Sequence, residues 1–369
     1  MDIYEELGVR KVINGLATVT ILGGSIMPPE VVSAMAQAAQ HFVDIDELQA
    51  KVGQELARLT RNEAAFVSCG AAAGLALSTA ACITGLDPQK RDRLPYTDGL
   101  ANEILIHKCW RVGYDFAIRQ AGGRIIEVGD AHGATPEQLE AAISPHTVAI
   151  FYFYNSSKMG GHVPLNQAIE IAKRHGIPLI IDAAAQIPPA ENLWRFTAMG
   201  ADLVLFSGGK GLRGPQSSGL ILGRKDLIEA CAFNAGPRAF IGRPMKVGKE
   251  EIVGLLAAVK WTLAQDEQAL LQDYEDQVAF AIETCAALSH VSACRNFPSE
   301  AGQPMPRAEI ILDEESLGIT RDQLLARLRA GVPSIALAAA GPNSVFINPQ
   351  TLQAGEIKII CERIRALLA

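Results

Sequence analysis

The 369-residue sequence predicts an α/β fold in which helices cover both faces of a mostly parallel sheet, with a smaller α+β domain at the carboxyl end. Apolar runs of strand length alternate with helix-length segments as far as about residue 245. Continuous apolar strands are typical of parallel sheets that are buried on both faces. Beyond that point two long helical stretches follow one another directly, and a short strand-rich segment closes the chain. These two patterns predict a large domain over residues 1–245 and a second one over residues 246–369.

Composition and charge limit the classes of function. The chain is 49% hydrophobic and 20% charged, which is an ordinary globular balance. Its 33 basic and 40 acidic residues give a net charge of −7, which argues against a nucleic-acid partner. No apolar run reaches the roughly 20 residues that cross a bilayer, and the acidic start lacks the layout of a secretory signal. We therefore expect a cytoplasmic protein without a membrane partner.

The cysteines agree with that expectation. Seven are present, which is an odd number, and none forms a C-x-x-C pair. Reduced, mostly buried thiols are the simplest interpretation. No cluster has the spacing of a zinc site, so no bound metal is expected.

The first part of the large domain alternates regularly between short apolar strands and helices. Gly122-Gly123 ends one helix, and Thr135 is placed to cap another ahead of Pro136. The predicted elements are strand Ala64–Ser68, helix Leu75–Ile83, strand Glu103–His107, helix Tyr114–Ala121, strand Arg124–Val128 and helix Thr135–Ile143.

The second part continues the alternation, and several of its strands end in polar residues. In open α/β sheets the carboxyl ends of the strands line the ligand crevice, so these residues are candidates for function. The predicted elements are strand Val148–Phe153, helix Leu165–His175, strand Pro178–Asp182, helix Leu193–Met199 and strands Leu203–Ser207 and Gly219–Leu222.

The carboxyl-terminal part has a different pattern. Two long helices come first, and a loop rich in Pro and Gly leads to a βαββα segment. The predicted elements are helices Glu250–Ala264 and Glu267–Leu288, loop Asn296–Pro306, strand Ala308–Leu312, helix Arg321–Arg329, strands Ser334–Ala338 and Ser344–Ile347 and helix Ala354–Leu368.

Small residues fill the turn Cys69–Gly74 between a strand and a helix. They would let backbone N–H groups approach an anion at a helix N-terminus, where the helix dipole favours a phosphate. The alternative is a turn that only packs the helix on the sheet. The spacing matches neither the dinucleotide fingerprint nor the nucleotide P-loop.

Two further strands lead to residues whose side chains can take part in catalysis. Asp182 closes an apolar strand, where a carboxylate is costly unless it is paired. It either caps the next turn or faces a cationic ring nitrogen. Lys210 lies in the glycine-rich turn after strand Leu203–Ser207, and an amine there is suited to Schiff-base chemistry. The alternative for Lys210 is an ordinary loop lysine.

The order of these three features is more specific than any one of them. A phosphate-sized turn, then a strand-end Asp, then a lysine about 30 residues later is the order that a pyridoxal-phosphate site requires. In such a site the Asp keeps the pyridine nitrogen protonated and the lysine forms the internal Schiff base.

Several segments along nearly the whole chain carry a resemblance to known proteins. They are Asn14-Gly15, Leu22–Ser25, Asp182–Gln186, Ser207–Gln216, Gly242–Glu251 and the segment that contains Asn348-Pro349, Leu352 and Gly355-Glu356. With these segments the sequence resembles the selenocysteine-synthase-like group of fold-type-I pyridoxal-phosphate enzymes, and within it the D-glucosaminate-6-phosphate ammonia-lyase-type proteins.

The resemblance implies the roles of individual residues. Lys210 becomes the Schiff-base lysine, and Asp182 the partner of the ring nitrogen. The other cofactor contacts that it implies are Cys69, Gly70, Ala71, Gln186 and Ser207.

The group that covers the cofactor ring stays open between two residues. His107 ends its strand, and Trp110 stands where related proteins tend to have a histidine and offers the larger stacking surface. Each also has a structural alternative, as a polar strand end or as a core aromatic.

Three arginines are the candidates to bind a substrate acid group, because a guanidinium binds a carboxylate with two hydrogen bonds. They are Arg213, Arg243 and Arg307. Arg243 lies in a basic cluster with Lys246 and Lys249. This cluster either binds a substrate or cofactor phosphate or belongs to an exposed loop and helix start.

The sequence therefore predicts a pyridoxal-phosphate lyase of the β-elimination or ammonia-lyase type, acting on a small hydroxylated or phosphorylated amino acid or amino-sugar acid. An aldolase, a racemase, a selenocysteine-synthase-type transferase on aminoacyl-tRNA and a non-catalytic regulator that binds the cofactor are the alternatives. The resemblance also implies at least a homodimer.

Overall fold

The computed structural model describes residues 2–155 and 161–368 and divides the chain into two compact units. We call Met27–Ala264 the large unit. The small unit combines the residues up to Ile26 with those from Gln265 onwards.

The strands are numbered in chain order. They are β1 Val12–Gly15, β2 Ala64–Ser68, β3 Glu103–His107, β4 Arg124–Val128, β5 Thr147–Phe153, β6 Leu179–Asp182, β7 Leu203–Ser207, β8 Gly219–Gly223, β9 Val291–Asn296, β10 Arg307–Leu312, β11 Ser334–Ala339 and β12 Ser344–Ile347.

The α-helices are numbered in the same way. They are α1 Ile3–Glu6, α2 Pro29–Ala39, α3 Ile45–Leu59, α4 Ala71–Thr84, α5 Pro88–Arg91, α6 Phe116–Gln120, α7 Pro136–Ala141, α8 Leu165–His175, α9 Asn192–Met199, α10 Lys225–Asn234, α11 Lys249–Ala264, α12 Glu267–Ala286, α13 Glu314–Leu317, α14 Arg321–Ala330 and α15 Glu356–Leu368.

The large unit contains a seven-stranded sheet in the order β2-β8-β7-β6-β5-β3-β4. The run from β7 to β4 is parallel, and β8 is antiparallel to both of its neighbours. The predicted fold, a mostly parallel sheet covered by helices, is confirmed. Helices α4, α6 and α10 pack on one face, and α3, α8, α9 and α11 pack on the other.

Local sequence signals account for several helix ends. Thr135 caps α7 as predicted: its hydroxyl accepts a hydrogen bond from the Gln138 N–H, and the Gln138 side chain accepts one from the Thr135 N–H. Helix α8 ends at His175 and is capped by Gly176, whose φ of 64° lies in the left-handed region that glycine adopts without strain.

The small unit contains a five-stranded sheet in the order β1-β11-β12-β10-β9. Strand β1 is parallel to β11, and the other pairs are antiparallel. Side chains from this sheet, α12, α14 and α15 form a separate core, which includes Ile310, Leu324 and Ile360.

The compact units differ from the predicted division after residue 245 in two ways. The sequence analysis did not foresee β1, and the pairing of β1 with β11 brings the first residues of the chain into the small unit. Helix α11 belongs to the large unit, because Ile252, Leu255 and Val259 are buried in its core. Strand β9 and helices α2, α3 and α10 were also not predicted; β9 is polar and half exposed, so it lacks the apolar run of the other strands.

No helix among the described residues combines the length and the apolar character that crossing a bilayer requires.

The packing of α3 on the edge strand β2 generates a test of the fold. A Cβ atom added at Gly53 would lie 2.5 Å from the Ala65 carbonyl oxygen, so Gly53→Ala forces the helix away from the strand. We expect its free energy of unfolding to fall by about 1–3 kcal/mol in urea denaturation. Gly113→Ala is the control, since no atom lies within 4 Å of the added carbon. Equal stability of the two variants would contradict this packing.

Candidate active site

The sheet register brings three chain segments to one edge of the large unit. Ser68 and Ser207 both pair with Gly219, so β2 and β7 end at the same level, and α4 begins directly after β2. Strand β6 runs parallel to β7, with Asp182 paired to Leu205. Three of the features that the sequence analysis singled out therefore meet at the carboxyl edge of the sheet.

The N-terminus of α4 is built to receive an anion. Gly70 occupies the cap position with a φ of 127° and supplies no side chain to the N–H groups of the first turn. Cys69, Gly70 and Ala71 keep part of their surface accessible, and Ala72 is exposed. A phosphate group fits this end of a 14-residue helix, because the N–H groups and the helix dipole both favour negative charge.

Asp182 is a desolvated carboxylate on the same side of the sheet. Its neighbour Ile180 packs in the core that contains α4, and the side chain two residues further along a strand points the same way. The Asp182 Oδ1 atom accepts a hydrogen bond of 2.9 Å from the Ala184 N–H. Burial raises the pKa of the Asp182 carboxyl, while that hydrogen bond and the charge of Lys210 act in the opposite direction. A cation placed against Asp182 would restore its charged form.

Lys210 lies in a tightly hydrogen-bonded turn. The Gly208 N–H donates to the Ser218 carbonyl (2.9 Å), and the Gly214 N–H donates to the Gly208 carbonyl (2.7 Å). The Lys210 carbonyl accepts from the Arg213 N–H at 2.9 Å, and Arg213 adopts a φ of 53°. A side chain at Gly211 would collide with the Ile187 carbonyl, so glycine is required there. The turn fixes the backbone of Lys210 next to the end of β7.

His107, one of the two expected ring-covering residues, lies in an aromatic cluster of the large unit. Its ring packs edge-on against Tyr152, 5.5 Å between centroids, on the sheet face opposite to Asp182. Only 2% of His107 is exposed, and burial lowers the pKa of its imidazole to about 4. Among the described residues its Nε2 atom has no hydrogen-bond partner. Contact between His107 and a cofactor stays a prediction.

Trp110 is the more accessible of the two expected ring-covering residues. It is half-buried in a 3₁₀ turn, Lys108–Trp110, that follows β3. Its indole Nε1 donates a hydrogen bond of 2.6 Å to the Nδ1 atom of His162, and the two ring centroids are 4.4 Å apart. His162 was not predicted from the sequence, because 52 residues separate it from Trp110 and no motif surrounds it.

Gln186 is buried and takes part in two hydrogen bonds. Its side-chain N–H donates to the Tyr154 main-chain carbonyl (3.1 Å), and its own main-chain carbonyl accepts from the Asn192 side chain (2.7 Å). Contact between Gln186 and a cofactor stays a prediction.

The three candidate substrate arginines are not brought together within one unit. In the large unit, the Arg213 guanidinium lies 5.6 Å from the Trp261 ring, and Arg243 is exposed in a 3₁₀ turn. In the small unit, Arg307 lies over the Phe346 ring at 3.9 Å and is paired with Glu300.

An uncapped helix N-terminus, a desolvated carboxylate and a lysine in a rigid turn, all at the carboxyl edge of a mostly parallel sheet, define a pyridoxal-phosphate enzyme of fold type I. The residues present fit this cofactor. The N-terminus of α4 would attract its phosphate, and the Asp182 carboxylate would attract its protonated ring nitrogen.

Comparison with known proteins specifies the class further. Residues 29–240 match the aminotransferase class-V family, and the chain belongs to this family. Its cofactor is pyridoxal phosphate. The chain is 36% identical over 376 residues to a D-glucosaminate-6-phosphate ammonia lyase of Salmonella typhimurium, with 99% of this chain and 98% of the relative covered. A solved structure of D-glucosaminate-6-phosphate ammonia-lyase superposes with a TM-score of 0.87 at 35% identity, covering 100% of this chain and 98% of that chain.

Two other relatives have names that denote activities other than ammonia lyase. A 5'-C-glycyluridine monooxygenase-decarboxylase of Streptomyces sp is 34% identical, with 99% of this chain and 92% of the relative covered. An L-seryl-tRNA(Sec) selenium transferase of Solidesulfovibrio magneticus is 25% identical, with 95% and 80% covered. The resemblance to the selenocysteine-synthase-like group is confirmed.

The raised pKa of Asp182 predicts a pH-dependent stability of the cofactor-free protein. The unfolded chain gives up this proton at a lower pH than the folded chain, so wild-type stability falls as the pH rises above the ordinary carboxyl pKa of 3.8. We expect cofactor-free Asp182→Asn to melt at a higher temperature than wild type at pH 7, with the difference closing towards pH 3.8.

Asp98→Asn is the control for loss of one surface charge, since Asp98 is exposed. Burial does not raise the pKa of Asp182 if the melting temperature of Asp182→Asn at pH 7 is no higher than that of wild type. The same conclusion follows if the difference in melting temperature stays unchanged at low pH.

Proposed function

We propose that this protein is a pyridoxal-phosphate-dependent ammonia lyase that acts on a 2-amino-3-hydroxy sugar acid carrying a phosphate. The observation that carries the proposal is 36% identity to a D-glucosaminate-6-phosphate ammonia lyase along 99% of the chain, with Asp182, Ser207 and the α4 N-terminus at one sheet edge. The products are ammonia and a 2-oxo acid, through loss of the 3-hydroxyl as water and hydrolysis of the released enamine.

Each residue of the proposed site has one physical task. When bound, pyridoxal phosphate supplies an aldehyde that joins to an amine and a ring that accepts the electron pair released at the substrate α carbon. We assign the cofactor phosphate to the first-turn N–H groups of α4 at Gly70 and Ala71, next to Cys69 and with the Ser207 hydroxyl. Asp182 would hold a proton on the ring nitrogen, because a cation there restores the charged form of a carboxylate that burial disfavours.

Lys210 performs the proton transfers. Its Nζ atom would hold the cofactor when no substrate is bound, and it would take the α proton of the bound substrate. The rigid turn around Lys210 limits the positions of Nζ, which favours one direction of proton removal. The indole of Trp110, oriented by His162, is the group that we assign to the cofactor ring face.

The arginines complete the proposed substrate site. We assign Arg307 to the substrate carboxylate, and Arg213 and Arg243 to its remaining oxygens. The proposal also includes a cytoplasmic location. It further includes at least a homodimer, and the family resemblance supports this oligomeric state. The net charge of −7 argues against an aminoacyl-tRNA substrate.

The experiment is a product assay with a lysine variant. Cofactor-loaded protein is incubated with D-glucosaminate 6-phosphate, and ammonia and 2-oxo acid are quantified together. We expect equal amounts of the two products, and a loss of about 1,000-fold or more in kcat for Lys210→Ala. Lys51→Ala, which removes an exposed lysine of α3, keeps wild-type activity.

Other outcomes identify the alternatives. Release of an aldehyde indicates an aldolase, and change of optical rotation without ammonia indicates a racemase. Oxygen uptake and carbon dioxide release from 5'-C-glycyluridine would place the chain with the Streptomyces relative. Transfer of selenium to seryl-tRNA by this protein would also contradict the proposal, as would unchanged turnover in Lys210→Ala.

A further inference from the structure

Arg307 is an enclosed cation of the small unit. Its side chain is only 11% exposed at the start of β10, and its guanidinium carbon lies over the Phe346 ring, 3.9 Å from the ring centroid. The Nη2 atom donates a hydrogen bond of 2.7 Å to the Asn296 side-chain oxygen. Packing and a neutral acceptor therefore hold the guanidinium in one orientation.

The charge of Arg307 is not fully compensated by these neutral neighbours. Within the described parts of the chain its buried Nε atom has no hydrogen-bond partner. Burial lowers the pKa of the guanidinium, against the opposing charges of Glu300 and Glu309. A desolvated cation of this kind is stabilised by an anion at hydrogen-bond distance.

Glu300 supplies that anion from the loop after β9. Its Oε2 atom lies 3.2 Å from Arg307 Nη1 and also accepts a hydrogen bond of 3.2 Å from the Asn348 side chain. The Glu300 side chain is 46% exposed, in contrast to the enclosed arginine. Water can solvate an exposed carboxylate, so Glu300 can leave Arg307 when another anion takes its place.

We propose that Glu300 is an internal competitor that occupies the carboxylate position on Arg307 until the acid group of the substrate displaces it. Glu300 thereby sets the affinity for the substrate, because each binding event includes the loss of the Arg307–Glu300 pair. The inference rests on the proposed function in one respect, namely that the substrate carries a carboxylate.

The resident group favours a carboxylate over a phosphate as the ligand. Asn296 already engages Nη2, and Glu300 occupies Nη1, so displacement of Glu300 frees one position of carboxylate size. The position already holds a carboxylate, that of Glu300, and we therefore assign it to the carboxylate of the substrate.

Ligand binding to the cofactor-loaded protein tests the proposal without turnover. The probes are D-gluconate, which has a carboxylate and no amine, and D-glucitol 6-phosphate, which has a phosphate and no carboxylate. We expect Glu300→Gln to bind gluconate about two- to fivefold more tightly than wild type in titration calorimetry, because one competing charge is gone. Binding of glucitol 6-phosphate stays unchanged.

Three variants serve as controls. Glu315→Gln removes an exposed charge of the same unit and leaves gluconate binding at the wild-type level. Arg307→Gln weakens gluconate binding, and adding Glu300→Gln to it gives no further gain, since the competitor acts only through the arginine. With an active substrate, Glu300→Gln lowers KM by the same factor and leaves kcat unchanged.

Unchanged or weaker gluconate binding by Glu300→Gln overturns the proposal, as does the absence of measurable binding to that variant. Tighter binding of glucitol 6-phosphate alone would assign the position to phosphate and would also overturn it. A failed proposed function is distinguishable, because it leaves every variant without ammonia release while the gluconate difference persists.

Discussion

The strand register at the carboxyl edge of the seven-stranded sheet is the constraint on which the proposed site depends. Ser68 and Ser207 share one pairing partner, Gly219, and Asp182 is in register with Leu205. A shift of one residue in β6 would turn Asp182 to the opposite face of the sheet, where His107 and Tyr152 pack. The buried apolar side chains on both faces of the sheet hold this register, so the hydrophobic core fixes the position of the polar residues.

The fold holds two largely desolvated charged groups that an ionic ligand of opposite sign would stabilise further. Burial raises the pKa of Asp182 in the large unit and lowers the pKa of Arg307 in the small unit. Each shift disfavours the charged form of its own group, so each is relieved by an ionic ligand. We propose a cationic ring nitrogen for Asp182 and a substrate carboxylate for Arg307, with Glu300 at Arg307 until substrate binds. Such groups cost stability in the free protein, which is common at functional sites.

Most of the large unit was predictable, because most of its buried strands are apolar runs and several of them end at a polar residue. The bounds of β2, β3, β4 and β7 are the predicted ones. Strand β1 was not predictable, since it is four residues long and is defined by its pairing with β11, more than 300 residues away along the chain. Long-range pairing of this kind leaves no local signal.

The site residues were predictable to a different degree. The spacing of Gly70, Asp182 and Lys210 anticipated that three elements meet at one sheet edge, because strand ends of a parallel sheet converge. Sequence order does not say which face a strand-end side chain takes, so it left the ring-covering group open between His107, which the structure buries, and Trp110. His162 and Glu300 act on other residues through tertiary contacts, and only the structure shows those contacts.

The covalent attachment point of the cofactor is the measurement that bears most directly on this account. Cofactor-loaded protein is reduced with borohydride, digested and analysed by peptide mass spectrometry, which locates the lysine that carries the pyridoxyl group. The account predicts the label on Lys210 alone. A label on another lysine such as Lys246, or unlabelled protein after reconstitution, would contradict it.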